Sequence, residues 1–249
     1  MANSSKNPFA EAVLAHLKFP AGAFVVDLAC GPGRPSLEIA ARHPDLSVLG
    51  VDIAPEVIAQ ARKLASESAI GNVRFEVMNL EELAIASSSA DIAVSLFGVM
   101  QVGDFVKSID EMVRILKADA EFSLAAYDDM RQHTLLAVAI PVLSQYTAAE
   151  LTPSYITAEP DAQKQGLLRA GMSAVHSEIF HCTVPFPSFD AVWQMLSSPQ
   201  MFARVTQALD DETTLAAKAE LLGTLAPFKH PSAQGYAFPF SCRIVWGQR

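Results

Sequence analysis

Val25-Val26-Asp27-Leu28-Ala29-Cys30-Gly31-Pro32-Gly33 is the stretch on which the fold turns. A short β-branched run ends near an acid and breaks into a turn with two glycines. Pro35 follows, a residue suited to the start of a helix because its missing N–H would have no partner there. Gly31 and Gly33 permit a tight turn and close approach of a ligand to the backbone, and the helix N-terminus beyond offers N–H groups to it. Nineteen residues after Gly33, Asp52 closes a second apolar run, where a carboxylate can accept both hydroxyls of a ribose. Together the turn and the acid predict a nucleoside-containing ligand on a parallel α/β sheet.

The alternation continues outward from the turn. Runs at 23–28, 47–52, 73–78, 91–96 and 121–127 read as strands, and the weak alternation of the Val- and Ala-rich ones predicts burial on both faces. Pro35 and Pro55 open helices between them, and Pro44 stops the first. Over 104–116, Phe105, Ile109, Met112, Val113 and Leu116 share one helical face while Lys107, Asp110, Glu111 and Arg114 lie off it, as in a helix laid on a sheet. Beyond Tyr127 the reading is a helix over 130–146, a polar loop at 152–160, a helix ending at Ala170 and a strand over 174–184. Helices at 189–196 and about 201–225 and a last strand over 236–247 complete it.

Composition bounds the function. At 249 residues, with 51% apolar and 18% charged side chains, one α/β domain with a substantial core is expected. The net charge of −9, with 18 Lys and Arg scattered along the chain, argues against a nucleic-acid partner. Residues 1–8 are polar and do not read as a signal peptide. The longest apolar stretch, 135–143, is too short for a membrane span and contains Pro141, so a cytoplasmic protein without membrane partner is expected. Cys30, Cys182 and Cys242 are odd in number and far apart, which fits a reducing compartment and no structural zinc. His176 and His181 fall on opposite faces of one strand, so no metal site is expected there either.

The identity of the nucleoside follows from two departures. A dinucleotide fingerprint places a third glycine where this chain has Ser36, and it has no use for Asp27. Asp27-x-Ala29-x-Gly31-x-Gly33 instead resembles the first motif of the class I S-adenosylmethionine-dependent methyltransferases, in the small-molecule group that includes the ubiquinone-biosynthesis type, with Ala29 where the family's first glycine is usual. The resemblance covers roughly residues 20–130 and implies S-adenosyl-L-methionine as cofactor. It places Asp27 near the cofactor's amino group, the backbone of Ala29, Cys30, Gly31 and Gly33 against methionine and ribose, and Asp52 on the ribose hydroxyls. Ile53 would pack on the adenine face, and Leu80 would offer its backbone N–H to the ring. Asn79 stands where a family Asp contacts the adenine amine; its amide oxygen can still accept, without the charge-assisted part of the bond. Ser95 and Leu96, ending the fourth strand, complete the cofactor set.

The resemblance also implies the architecture: a Rossmann-like, seven-stranded, mostly parallel sheet with helices on both faces. Its antiparallel last strand would correspond to 238–246, after a helical insertion at about 186–230. One domain is expected, with a helical segment at 1–22, a cofactor-binding half at 23–130 and a substrate-side half at 131–249.

Methyl transfer is an in-line displacement, so holding the reactants in line supplies much of the rate and a base is not required. Tyr127, Asp128, His133, Tyr146, His181, His230 and Tyr236 fall near the expected substrate mouth, each more simply a packing or surface residue. Trp193, Met195, Leu196, Met201 and Phe202 suit a core better than a pocket. Ser95-Leu96-Phe97-Gly98 replaces the Asn/Asp-Pro-Pro-Tyr signature of the related nucleobase-amine enzymes, which points to methylation of a small, largely apolar metabolite at O, N or C. The rival readings are an enzyme of this fold that binds S-adenosylmethionine without transferring its methyl, and an NAD-dependent oxidoreductase. With only about 22 residues before the first strand, the site is expected to be closed by the insertion or by a second subunit of a homodimer.

Overall fold

The computed structural model describes residues 7–127, 133–148, 151, 162–198, 206–230 and 235–249. Five apolar runs become the parallel part of one sheet: β1 (Phe24–Leu28), β2 (Ser47–Asp52), β3 (Val73–Val77), β4 (Ala90–Leu96) and β5 (Leu116–Tyr127). With β6 (Ser173–Phe186) and β7 (Tyr236–Gln248) the sheet has seven strands in the order β3-β2-β1-β4-β5-β7-β6. The pairs from β3 to β5 are parallel, and β7 runs antiparallel to β5 from Glu121↔Gln248 to Tyr127↔Cys242. Side chains of β1, β2 and β4 are buried along most of their length, as strands covered on both faces should be.

Helices α1 (Pro8–Leu14), α2 (Arg34–Arg42), α3 (Pro55–Glu67) and α4 (Phe105–Ile115) flank these strands. The Asp104 carboxylate caps α4 by accepting from the Lys107 amide at 3.0 Å, and Ile109 and Met112 are fully buried in a core shared with Phe122 and Leu124. Arg114, on the opposite side of α4, donates to the carbonyls of Leu83 (2.9 Å) and Ile85 (2.8 Å) and pairs with Glu111. Glu111 in turn accepts from the Leu83 amide at 2.7 Å. The segment between β3 and β4 is thereby fastened to α4.

The described residues gather into two compact units. The first draws on 7–127, 162–180 and 242–249, and includes α6 (Ala162–Arg169); the second draws on 133–151, 181–198 and 206–241. In the second, α5 (Thr134–Leu143), α7 (Phe189–Leu196) and α8 (Asp211–Thr224) bury Leu135, Leu136, Val192, Leu196, Ala217 and Leu221 against one another, with Tyr236 and Phe238 of β7.

Three boundaries differ from the sequence reading for identifiable reasons. β5 begins at Leu116 rather than 121 because Leu116 pairs with Ala90; the register then shifts and Asp119 takes φ +62°, a bulge hidden in the polar, exposed residues 117–119. The stretch read as one helix over about 201–225 is interrupted before Asp211, where α8 begins with the Asp210 carboxylate accepting from the Thr213 amide at 2.7 Å; residues 201–205 lie outside the described residues. α5 begins at Thr134, with His133 as its N-cap, and ends at Leu143. Asp128, Met201, Phe202 and the loop at 152–160 lie outside the described residues.

Replacing Arg114 with Ala is expected to lower stability by about 2 kcal/mol, the scale of hydrogen bonds to a charged group. A urea titration should show a reduced midpoint with unchanged m-value.

Candidate functional site

The order β3-β2-β1-β4-β5 reverses direction between β1 and β4: the chain moves outward from β1 to β3, then returns to the far side of β1. The crossovers diverge there and leave a crevice at the carboxyl ends of both strands, where open α/β sheets take their ligands. One wall is the loop after β1, residues 29–33; the other is the turn after β4, beginning at Phe97.

The loop makes its turn in left-handed backbone: Ala29, Gly31 and Gly33 have φ of +53°, +55° and +83°. The two glycines have different reasons. A Cβ on Gly33 would stand 2.6 Å from the Phe75 ring, so that position is closed by packing, whereas a Cβ on Gly31 would meet nothing within 4 Å. Gly31 is the open floor over which a ligand can lie. Cys30 points the other way, buried, its thiol held protonated by burial and by the Asp27 and Asp52 charges.

Asp27 and Ser36, the two departures from a dinucleotide fingerprint, prove to be one interaction. Oδ2 of the fully buried Asp27 accepts from the Ser36 hydroxyl at 2.6 Å and from its amide at 3.1 Å. Oδ1 is also buried and finds no partner among the described residues. Burial raises the carboxyl pKa to about 7 against the pull of the Ser36 bonds, with a smaller push from Asp52.

Asp52, half-buried at the end of β2, accepts from the Gly31 amide at 2.9 Å and from the Ala54 amide at 3.0 Å. Each oxygen keeps a lone pair, so both remain able to accept ribose hydroxyls. Ile53 beside it is 67% exposed, an apolar surface without cover. Asn79 is exposed in the turn after β3, where its side-chain oxygen accepts from the Glu81 amide at 3.0 Å; Leu80 is buried next to it.

At the end of β4, the buried Ser95 hydroxyl donates to the Leu28 carbonyl at 2.7 Å and accepts from the Val99 amide at 3.3 Å, clamping the turn to β1. Leu96 is partly exposed. Gly98, at an ordinary φ of −90°, is glycine for steric reasons: its Cβ would stand 2.2 Å from the Ala29 methyl. Ala29 can therefore replace the glycine usual in such loops because residue 98 carries no side chain, a compensation across 69 positions that no local pattern reveals.

The residues singled out for catalysis are distributed between the units. Tyr127, in the first, is half-buried at the end of β5, its phenol pushed up to about 12 by burial. His133, Tyr146 and His181 belong to the second. His133 caps α5 with Nδ1 toward the Leu136 amide (3.4 Å), and burial lowers its pKa to about 4. The Tyr146 hydroxyl donates to Glu220 at 2.6 Å, and His181 is exposed on β6. Tyr236 is buried beside Phe238, the His230 amide donates to the Gly235 carbonyl, and Trp193, Met195 and Leu196 pack in the second unit's core.

An orphaned buried carboxylate oxygen, an open glycine floor and a bare apolar side chain beside a ribose-type acid fit a nucleoside that carries an amine. Comparison with known proteins agrees. Residues 25–119 match the family model of a methyltransferase domain. The chain is 26% identical over 180 residues to the ubiquinone/menaquinone biosynthesis C-methyltransferase of Geotalea uraniireducens, covering 67% of this chain and 77% of that one. Among solved structures, the YcgJ protein of Bacillus subtilis superposes with a TM-score of 0.63 at 18% identity over 97% of both chains. Phosphoethanolamine N-methyltransferase 2 of Haemonchus contortus, in complex with S-adenosyl-L-methionine, gives 0.61 at 17% identity over 96% of this chain and 52% of that one. The fold is thus that of the Rossmann-like methyltransferases. The chain is an S-adenosylmethionine-dependent methyltransferase similar to those of class I, and S-adenosylmethionine is its cofactor.

Two outcomes follow from the loop. Gly98→Ala should destabilise the protein, and adding Ala29→Gly should recover part of the loss, with a coupling of about 1–3 kcal/mol in a double-mutant cycle of urea midpoints. Asp27 holds its proton to about pH 7 when folded but releases it near pH 4 when unfolded. The folded state therefore binds more protons across that window, and the apoprotein loses stability as pH rises through it. Asp27→Asn should remove this component from the pH–stability profile.

Proposed function

We propose that this methyltransferase acts on a small, largely apolar metabolite, at an oxygen, nitrogen or carbon. The carrying observation is the aromatic lining of the crevice's second wall. Phe97, at the end of β4, stacks on Tyr127 at the end of β5 with ring centres 4.8 Å apart, and Phe9 of α1 meets Phe97 edge-on at 5.1 Å. Apolar rings at a ligand crevice favour an apolar or aromatic acceptor over a charged polymer. The net charge of −9 points the same way, and the relative from Geotalea is named for quinone C-methylation.

In this reading Asp27 accepts from the cofactor's amine, Asp52 from its ribose hydroxyls, Gly31 lets it lie against the loop, and Ile53, Asn79 and Leu80 receive the adenine. When bound, S-adenosylmethionine supplies a methyl group on a sulfonium, open to in-line displacement. The chain's own task is then orientation and exclusion of water. Neither Tyr127, protonated to about pH 12, nor His133, a weak base with a pKa of about 4, is tuned to take a proton at neutral pH. A nucleophile that needs neither of them as a base, such as a phenolate, a free amine or an electron-rich carbon, suits this reading. A cytoplasmic role in specialised metabolism, and closure of the site in a homodimer, complete the proposal. No described helix is long and apolar enough to cross a membrane.

The test is S-adenosylhomocysteine formation from S-adenosylmethionine across a panel of hydroquinones, phenols and small amines. Turnover with at least one apolar acceptor is expected; turnover confined to nucleic acid or protein would overturn the reading. Asp52→Ala should weaken S-adenosylmethionine binding by about 2 kcal/mol, roughly thirtyfold in Kd. Unchanged affinity in calorimetry would remove Asp52 from the site.

A further inference from the structure

Phe97 has φ +61°, a left-handed conformation that costs a non-glycine residue free energy and that is not forced here by a tight hairpin. The surroundings hold it there. Its amide donates to the Ala125 carbonyl at 2.8 Å, and its carbonyl accepts from the Gln101 side chain at 2.9 Å. The next residue, Gly98, lies against the Ala29 methyl of the cofactor loop. The strained backbone brings the Phe97 ring against Tyr127 on one side and Phe9 on the other.

Phe9 is in the first turn of α1, capped by the Asn7 side chain, which accepts from the Phe9 amide at 3.0 Å, and its ring also reaches Phe180 of β6 at 6.3 Å. The rest of α1 is held independently. Ala10, Val13 and Leu14 are buried, Glu11 pairs with Arg42 of α2, and His16 just beyond stacks on Trp246 at 3.8 Å. A continuous line of contact therefore runs from the loop at Ala29 through Gly98 and Phe97 to Phe9. Only its last member depends on the first turn of α1.

We infer that Phe97 is a positioning residue that couples the docking of the first turn of α1 to occupancy of the cofactor crevice, with Phe9 as the latch. A ligand lying on Gly31 restrains the loop, the Ala29 methyl restrains Gly98, and the ring of Phe97 is fixed where Phe9 can close on it. By linkage, a docked first turn must raise cofactor affinity as much as the cofactor stabilises docking. The inference rests on the cofactor assignment, and its test separates the two.

The experiment is amide hydrogen exchange of the full chain with and without S-adenosylhomocysteine, alongside calorimetric Kd values for the wild type, Phe9→Ala, Phe9→Tyr and Phe97→Ala. S-adenosylhomocysteine should slow exchange at residues 9–13 of the wild type. Phe9→Ala should abolish that slowing and raise Kd about fivefold or more, the lower end of ordinary site-to-site coupling. Phe9→Tyr, which keeps the ring, should restore both, and Phe97→Ala should reproduce Phe9→Ala. A purely structural role for Phe9 would lower the apoprotein's thermal midpoint while leaving Kd and the ligand-dependent exchange as in the wild type, and that result would overturn the coupling. Failure of the wild type to bind S-adenosylhomocysteine would overturn the cofactor assignment instead, and the coupling with it.

Discussion

The grip of Ser36 on the buried carboxyl of Asp27 sets the geometry from which the site follows. Two donors from the first turn of α2 meet one oxygen at the end of β1, so strand and helix are fixed in relation to each other with only a five-residue loop between them. This short connection reverses direction through left-handed backbone, which three of its five residues adopt. The consequences spread outward. Ala29, held at φ +53°, projects its methyl onto the turn after β4, and residue 98 must then be glycine. Gly33, held at φ +83°, brings its Cα against Phe75, so the third strand is packed under the loop as well. The Gly31–Asp52 bond ties the same loop to the second strand. Four strands thus converge on five residues.

Such an arrangement is costly to the apoprotein. A buried carboxyl with one unpartnered oxygen costs about 1–3 kcal/mol relative to a satisfied one, and a non-glycine left-handed residue about 1–2 kcal/mol. The first occurs at Asp27, at the end of β1, and the second at Ala29 in the loop and again at Phe97. Folded domains hold about 5–15 kcal/mol of net stability in all, so these terms are tolerable only on a well-packed base. That base is present: the side chains beneath the loop, Val26, Leu28, Leu49 and Val51, are buried in one continuous core with Ile109, Met112 and Phe122. The sheet supplies the rigidity that lets the crevice be strained.

How much of this was legible in the sequence follows from the range of each interaction. The strand, glycine turn and helix at 24–42 were readable because periodicity, two glycines and Pro35 all act within a few residues, and Asp52 was readable because strand ends are marked by composition. The Asp27–Ser36 pair was visible only as two oddities, since its meaning needs the loop closed in three dimensions. Ala29 and Gly98 gave no joint signal at all. A boundary was lost where a bulge interrupted a polar strand, as at Asp119. The aromatic contacts of Phe97 were not legible either, because Phe9, Phe97 and Tyr127 come from separate elements and read individually as core residues.

The acid–base character of the crevice narrows the chemistry further. Burial drives three ionisable groups near it toward their neutral forms: Asp27 toward the acid, Tyr127 toward the phenol, Cys30 toward the thiol. A site of this kind discriminates by charge. Of these three Asp27 titrates near neutrality, and a cation placed against its unpartnered oxygen would draw it to the carboxylate, replacing the missing hydrogen bond and offsetting the cost of burying the charge. An anionic ligand at the same place would meet a buried acid and a nearby Asp52, and nothing on the loop would offset it. In the proposed function, a preference for a cationic donor molecule would thus be a property of where β1 ends, and the preference for the acceptor would be left to the aromatic turn across the crevice.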